Sequence, residues 1–153
     1  IGEKVRRSQP ANRELIRLYL DYGFDPSRTD VAGYTFAHTL AMQPDASLFD
    51  LLDGFDLDLD VREDYLGATP IGFAIQAGNL ETARRLLEMG ADPTVPYDSG
   101  RSILSMAVEN GEEEAVRLLV EYGASLTDAD PDGSTPLDYA GEAFREKILD
   151  IIE

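Results

Sequence analysis

Apolar residues recur with helical spacing in the middle of this chain. In residues 80–87, leucine and alanine stand at positions i, i+3, i+6 and i+7, the pattern of one face of an amphipathic helix. A shorter apolar stripe in residues 71–75 follows Thr69-Pro70, a pair that suits a helix N-terminus. Gly78-Asn79 separates the two stripes, and both residues tolerate left-handed backbone. The pattern predicts a helix, a tight turn and a second helix, followed by an extended loop.

The same pattern returns with a period near 33 residues. Gly67, Gly100 and Gly133 are 33 residues apart, and Gly33 lies 34 residues before Gly67. A fixed period of this size indicates a small unit stacked several times in an all-α domain. We expect one domain over residues 1–153, with an incomplete unit at 12–32, full units at 33–66, 67–99 and 100–132, and a capping unit at 133–153. In the incomplete unit, the predicted apolar face consists of Leu15, Ile16, Leu18 and Tyr19.

The unit resembles the ankyrin repeat. The phrases "GATPIGFA" and "GNLETARRLLEMGAD" are similar to the consensus of that family, and "GSTPLDYA" matches its first half. The resemblance covers the chain from about residue 12 onward and implies an all-α solenoid of stacked helix-turn-helix units joined by short hairpin loops. It also implies a non-catalytic module that binds another protein with its hairpin tips and first helices.

Charge narrows the class of partner. The chain has 30 acidic and 13 basic residues, a net charge of −17, and six of the basic residues fall within the first 30 positions. Such a surface disfavours nucleic acid and anionic membranes and favours a basic protein. No apolar stretch is long enough to span a membrane, and the absence of cysteine excludes disulfides. We expect a monomer in the cytoplasm or, since the chain starts at Ile1, an exported or periplasmic product of processing.

The candidate chemical motifs favour structural roles. His38, the only histidine, occupies the place of the structural histidine of the ankyrin phrase. The run from Asp128 to Gly133 resembles the start of a calcium loop, but its twelfth position is Tyr139 rather than glutamate, so an acidic hairpin is favoured. No nucleophile, phosphate-loop or metalloprotease motif is present, which predicts no enzyme, metal or cofactor.

Unit 33–66 departs from the period in two places. From Thr35 to Gly54 the chain is two residues shorter than from Thr69 to Gly90, and the loop before Gly67 is about three residues longer than the others. That loop, residues 55–66, alternates acidic and apolar residues. Two interpretations stay open, a solvated loop with apolar anchors or a projecting acidic finger that grips a partner.

The resemblance assigns partner contacts to the concave, acidic face of the solenoid, made by the hairpin tips and the exposed face of each first (inner) helix, with Val31 among them. The function expected is binding of a basic protein, as an inhibitor or immunity-type protein that occludes an enzyme, or alternatively as an adaptor that tethers a signalling or substrate protein. The candidate contact residues are Tyr34, Met42, Gln43, Asp58, Asp60, Glu63, Asp64, Tyr65, Leu66, Gln76, Tyr97, Asp98, Arg101, Glu109, Asn110 and Asp132.

Overall fold

A computed structural model describes residues 10–152, and every regular element in that range is helical. The described chain forms two compact units, one ending at Ala91 and one beginning at Asp92. No helix in this range is both long and apolar enough to cross a bilayer. In chain order the elements are α1 Pro10–Asp21, α2 Phe36–Ala41, the 3-10 helix η1 Ala46–Leu52, α3 Pro70–Gln76, α4 Leu80–Glu88, α5 Ile103–Glu109, α6 Glu113–Glu121, the 3-10 helix η2 Pro136–Tyr139 and α7 Glu142–Ile152.

Hydroxyl caps begin the first helices of the repeats, as the sequence predicts. The Thr69 hydroxyl accepts a hydrogen bond from the backbone N–H of Gly72 at 3.4 Å, and Ser102 accepts from Ser105 at 2.9 Å. Each bond satisfies a backbone donor that has no partner inside the helix. The turn after α3 contains Gly78 with φ +72°, a backbone conformation that a side-chain-bearing residue would adopt only with strain.

The first compact unit buries its core between the paired helices. α3 packs against α2 and α4, and α4 packs against η1. Hydrogen bonds from α4 and the turn before it fix this packing, since Asn79 Nδ2 donates to the carbonyl of Ala41 at 3.1 Å and Thr82 Oγ1 donates to that of Gln43 at 3.0 Å. The side chains that are no more than 4% exposed include Ile71, Ala74, Ile75, Ala83, Leu86 and Leu87. These are the apolar stripes read from the sequence.

The second compact unit repeats this arrangement. α5 packs against α6 and η2, and α6 packs against α7. Ile103, Ala107 and Val116 are at most 1% exposed, and Ile148 anchors α7 from its inner side. The exposed residues of α7 are mostly polar, as expected for a helix that closes a stack, and include Glu142, Arg145, Glu146, Lys147 and Asp150 together with the apolar Leu149.

The shortened part of unit 33–66 forms η1 instead of an α-helix. This helix has seven residues, whereas α4 and α6 have nine each. The Asp45 side chain accepts hydrogen bonds from Ser47 N and Oγ at 3.0 and 2.6 Å, which begins the helix tightly. Three residues per turn place Phe49 and Leu52 on one face, and both are at most 1% exposed. The tighter helix therefore buries a core stripe despite the two missing residues.

Candidate protein-binding surface

The first hairpin loop is organised by the carboxylate at its base. Asp30 N donates to the carbonyl of Tyr34 at 2.9 Å, and Asp30 Oδ1 accepts from the backbone N–H groups of Ala32 and Tyr34 at 2.8 and 3.0 Å. These bonds turn the chain sharply and leave Val31 at the tip, fully exposed. The first tip is therefore apolar and fixed by local hydrogen bonds.

The second hairpin is one residue longer, and Glu63 fills the role of Asp30. Glu63 N donates to the carbonyl of Ala68 at 3.0 Å, and the Glu63 carboxylate accepts from the N–H groups of Tyr65, Leu66 and Ala68 at 2.7, 2.8 and 2.9 Å. Burial disfavours the charged form, but the three amide bonds together outweigh it and hold the pKa of Glu63 below its ordinary value. Tyr65 at the tip is 83% exposed and Leu66 is 45% exposed.

The two hairpins of this unit are bonded to each other. Asp64 N donates to the carbonyl of Ala32 at 2.9 Å. Gly33 lies so close that a Cβ at this position would stand 2.9 Å from Asp64 Oδ1 and 3.1 Å from Asp64 N. The hairpins bearing Val31 and Tyr65 are therefore in direct contact, and we call their exposed apolar residues the apolar tip pair (Val31, Tyr65 and Leu66).

An aromatic cluster supports the base of the tip pair. The Tyr34 and Phe73 rings stack with centroids 5.7 Å apart, and His38 meets both edge-on. His38 Nδ1 accepts from Thr35 N at 3.0 Å, so Nε2 carries the proton and donates to the carbonyl of Ala68 at 2.9 Å. Burial lowers the pKa of His38, which keeps the ring neutral. These contacts agree with the structural role predicted for this histidine.

The long loop at 55–66 combines buried anchors with exposed acidic residues. Leu59 is 7% exposed and Glu63 is 2% exposed, so the loop is fastened at two points. Asp58 and Asp64 are exposed, whereas the burial of Glu63 removes its side chain from any contact surface. The prediction of an exposed acid at Glu63 is corrected because three amide donors make burial of its charge favourable.

The remaining candidates of the first compact unit divide by exposure. Met42 is 59% exposed, and Gln76 in α3 is also exposed. Tyr34 and Gln43 are half-buried, Tyr34 in the aromatic cluster and Gln43 with its carbonyl bonded to Thr82, and Asp60 is half-buried in the loop. Sequence reasoning missed Phe73. The signal that could have identified it is that it is aromatic but lies outside the buried apolar stripe of α3.

In the second compact unit, two of the candidates bond to each other. The Arg101 guanidinium forms an ion pair with Glu109 and lies 4.4 Å from the centroid of the Tyr139 ring. The Tyr139 hydroxyl donates to Asp130 Oδ2 at 2.6 Å, a bond that contributes most to the lowered pKa of Asp130. Sequence reasoning missed Tyr139, which follows the buried Pro136 at the i+3 position typical of a neighbour on the same helix face.

The tips of the second compact unit are polar. Asp98 and Asp132 at the tips are exposed, as is Asn110 at the end of α5. Tyr97 is 6% exposed and so does not provide the surface tyrosine predicted for this hairpin. Tyr97 stands at the place that Asp30 and Asp130 occupy in their hairpins, but its side chain is buried, whereas the aspartates bond the backbone of their own loops. Its backbone N–H still closes the hairpin by bonding the carbonyl of Arg101 at 3.0 Å.

The acidic run at 128–133 is a hairpin in the structure. Asp130 Oδ1 accepts from Asp132 N and Ser134 N at 3.0 Å each, and Asp130 N donates to the carbonyl of Ser134 at 2.8 Å. This carboxylate thus bonds the backbone of its own loop, as Asp30 does. Across residues 10–152, no three metal-ligating side chains come together in a group that could hold an ion.

Comparison with known proteins identifies the repeat. The family model described as ankyrin repeats (3 copies) matches residues 7–97 and 96–152. The chain is an ankyrin-repeat protein. Ankyrin repeats are protein-interaction modules that are typically non-catalytic, and the all-helical architecture agrees with a solenoid of such repeats.

Individual relatives share only part of this ankyrin-repeat chain. The ADP-ribosylation factor GTPase-activating protein AGD4 of Arabidopsis thaliana is 38% identical over 77 residues, 50% of this chain and 10% of the relative. Protein PhlB of Serratia liquefaciens is 36% identical over 82 residues, 54% of this chain and 36% of the relative. The chain therefore spans between a tenth and about a third of these relatives, and the similarity assigns no activity to it.

Proposed function

We propose that this ankyrin-repeat protein binds a basic partner protein, with the apolar tip pair as the central contact. The observation that carries the proposal is the exposure of Val31 and Tyr65 on two hairpins joined by the bond from Asp64 to Ala32. Large exposed apolar side chains held on a rigid loop are typical of interaction surfaces, and tyrosine is enriched among residues that dominate binding energy.

Charge beside the tip pair supports a basic partner. Asp56, Asp58 and Asp64 are exposed in the same loop that carries Tyr65, and the chain as a whole has a net charge of −17. Opposite charge accelerates encounter and rejects acidic partners, while the apolar contacts hold the complex once formed.

Rigidity supports an occluding mode of binding. The Glu63 carboxylate, the bond between the hairpins and the Tyr34–Phe73 stack hold the tip pair before any partner arrives. Little conformational entropy is then lost on binding, which favours insertion into a cleft of the partner. A tip that fills such a cleft would inhibit an enzyme, whereas the same contact outside a functional cleft would make the protein an adaptor.

Affinity capture with tip variants tests the proposal. We expect the full chain to retain a specific basic protein from a lysate of its own organism, and Val31→Asp combined with Tyr65→Ser to lose it. Both side chains are exposed, so the variant keeps its helical circular dichroism spectrum. Tyr22→Ser is the matched control, because Tyr22 is 85% exposed and lies outside the tip pair.

The outcomes of this capture separate the possibilities. If the double tip variant and the Tyr22→Ser control retain the same protein equally well, the result contradicts binding through the tip pair. Once the partner is identified, an assay of its activity with saturating chain distinguishes inhibitor from adaptor, since occlusion abolishes turnover and tethering leaves it unchanged.

A further inference from the structure

A pocket lies between the two hairpins of the second compact unit, which are closed at Tyr97 and at Asp130. The hairpins are in direct contact, since a Cβ at Gly100 would stand 2.5 Å from Pro131 Cγ. The pocket has a volume of about 220 Å³. Sites for drug-sized ligands have about 300–1,000 Å³, so this pocket has the size for a single side chain. We call it the hairpin pocket, and its lining includes Ser102, Leu104, Ser105, Ala124, Asp128 and Asp130.

In unit 33–66, the corresponding space is filled by an imidazole. Ser105 stands in the place of His38, since each is the fifth residue after the glycine that begins its unit. The His38 side chain is 0% exposed. Its ring accepts a hydrogen bond from Thr35 N and donates one to the carbonyl of Ala68, which belongs to the next hairpin. The ring therefore connects the first helix of one unit to the hairpin of the next.

Ser105 is too short to make the same connection. Its Oγ accepts a hydrogen bond from Ser102 Oγ at 2.9 Å, and its N–H donates to Ser102 Oγ at 2.9 Å. The Ser105 side chain is thus bonded within its own helical turn, and it is 1% exposed. The carbonyl of Ser134, which corresponds to that of Ala68, accepts from Asp130 N at 2.8 Å. The hairpin pocket is the space that a histidine ring would fill at this position.

Two carboxylates make the hairpin pocket negative. Asp128 is exposed, and its side chain forms no hydrogen bond or ion pair within residues 10–152. Asp130 is held by its own loop and by the Tyr139 hydroxyl, which donates to Oδ2 at 2.6 Å. That bond contributes most to the lowered pKa of Asp130, so this carboxylate stays charged at neutral pH.

Positive charge near the pocket does not offset these carboxylates. Arg101 lowers the pKa of Asp130 by Coulomb attraction, but its guanidinium is ion-paired with Glu109. Between residues 92 and 152, the chain has 14 acidic and 4 basic residues. A cationic group is therefore attracted to the hairpin pocket.

We infer that the hairpin pocket binds the protonated imidazole of a histidine side chain from a partner protein. The ring has the size of the space that Ser105 leaves open, and its two N–H groups can donate to Asp128 and to the remaining lone pair of Ser105 Oγ. Leu104 and Ala124 supply apolar walls for the carbon edge of the ring. Ankyrin repeats are protein-interaction modules, which favours a partner's side chain as the source. The inference does not depend on the apolar tip pair, because every lining residue belongs to the second compact unit.

Nα-acetyl-histidine methylamide is the probe, because it presents the side chain without charged ends. Its binding to the full chain is followed by the chemical shifts of backbone amides in isotope-labelled protein, at constant ionic strength. A Kd on the order of 1–10 mM is expected for so few contacting atoms. The amides of Ser105 and Asp128 should shift, and the corresponding alanine amide, as the control ligand, should leave them unchanged.

The pH of the titration tests the charge of the ring. Histidine has a pKa of about 6.5, so the probe is mostly protonated at about pH 5.5 and mostly neutral at about pH 8. The carboxylate of Asp130 stays charged over this range because its pKa is lowered. Affinity for the wild type should therefore be about tenfold higher at the lower pH.

Three variants locate the site. Asp128→Asn should weaken binding at about pH 5.5 about threefold, because it removes one exposed charge from the contact. Asp132→Asn is the matched control, exposed in the same hairpin but outside the pocket lining, and should leave binding unchanged. Ser105→His should fill the pocket from within and abolish binding. Circular dichroism verifies that each variant keeps its fold.

Three results would overturn binding of a histidine ring in the pocket. They are no saturable shifts at about 100 mM probe, an affinity that is the same at both pH values, and wild-type binding by a folded Ser105→His variant.

Two further ligands test the identity of the occupant. Tighter binding of Nα-acetyl-arginine methylamide than of the probe would make arginine the occupant, and much tighter binding of free histidine would replace the partner's side chain with the amino acid. Either result would overturn the inference. Loss of the tip-pair partner alone would leave it standing.

Discussion

At the scale of single residues, carboxylates at the bases of the hairpins determine how the loops fold. Asp30 and Asp130 each accept two backbone N–H groups of their own loop, and Glu63 accepts three. The longer side chain of Glu63 matches the one extra residue of its hairpin. An acidic residue in this position is therefore part of the fold, although its charge suggests a surface role.

We predict that Glu63→Ala destabilises the protein by about 2–3 kcal/mol, because three amide donors lose a charged acceptor. Urea unfolding followed by circular dichroism measures the change. Asp58→Ala is the control, since Asp58 is exposed and its side chain accepts one hydrogen bond, from Asp60 N at 2.9 Å, within residues 10–152. Equal effects of the two variants would contradict the structural role of Glu63.

Glu63 also predicts sensitivity to acid. Its folded pKa lies below the ordinary value of 4.5, so the folded state binds fewer protons than the unfolded state in this range. The stability it provides is complete above pH 4.5 and is lost as the pH falls through the folded pKa. In Glu63→Gln, the free energy of unfolding should therefore decline less between about pH 5 and pH 3 than in the wild type. Parallel pH profiles of the two proteins would contradict this assignment.

At the scale of elements, consecutive repeats of the first compact unit are joined by side chains that bond turn carbonyls. Asn79 bonds the carbonyl of Ala41 and Thr82 bonds that of Gln43, which fixes α4 against the end of α2 and the start of η1. These polar contacts set the register in which the apolar stripes meet. Unit 33–66 keeps this register although its helical part is two residues shorter than that of unit 67–99, because η1 is wound more tightly as a 3-10 helix.

We predict that Thr82→Val lowers the free energy of unfolding by about 1–2 kcal/mol, because it keeps the shape and leaves the Gln43 carbonyl without the hydroxyl donor. Thr82 is fully buried. Thr39→Val is the control in α2, where Thr39 is exposed and the same change should alter stability by less than about 0.5 kcal/mol. Thermal unfolding measures the stability of both variants. If Thr82→Val does not change the stability, packing alone sets the register.

At the scale of the whole molecule, apolar and acidic surfaces are distributed unevenly. The first compact unit presents the apolar tip pair, whereas the hairpin tips of the second present Asp98 and Asp132. Different surfaces of one chain can thus serve different contacts. The excess negative charge acts on every encounter, whichever surface makes the final contact.

We predict that raising NaCl from about 50 to about 500 mM slows association with the tip-pair partner about tenfold and leaves dissociation nearly unchanged. Stopped-flow or surface-based kinetics measures both rates. In a variant with Asp56→Asn, Asp58→Asn and Asp64→Asn, the association rate should depend less on salt. Association that is equally fast at both salt concentrations would contradict the basic character proposed for the partner. It would not affect the proposed apolar contact through the tip pair.

Sequence alone determined the ankyrin repeat, the ends of its helices and the buried stripes. Helix periodicity, capping residues and turn glycines are local signals, so the positions of Ile71, Leu86 and Val116 in the core could be predicted without coordinates. The role of His38 followed from its place in the repeated phrase. The candidate contact surface could be predicted only in outline, as hairpin tips and the exposed faces of the first helices.

Tertiary structure alone decided which side chains occupy that surface. Glu63 and Tyr97 turn inward, the first toward three amide donors that sequence reading could not place, and Arg101 engages Glu109 and Tyr139. Each of these outcomes depends on what packs against a residue in three dimensions, and the repeat pattern specifies a position in the unit but not its neighbours in the folded chain.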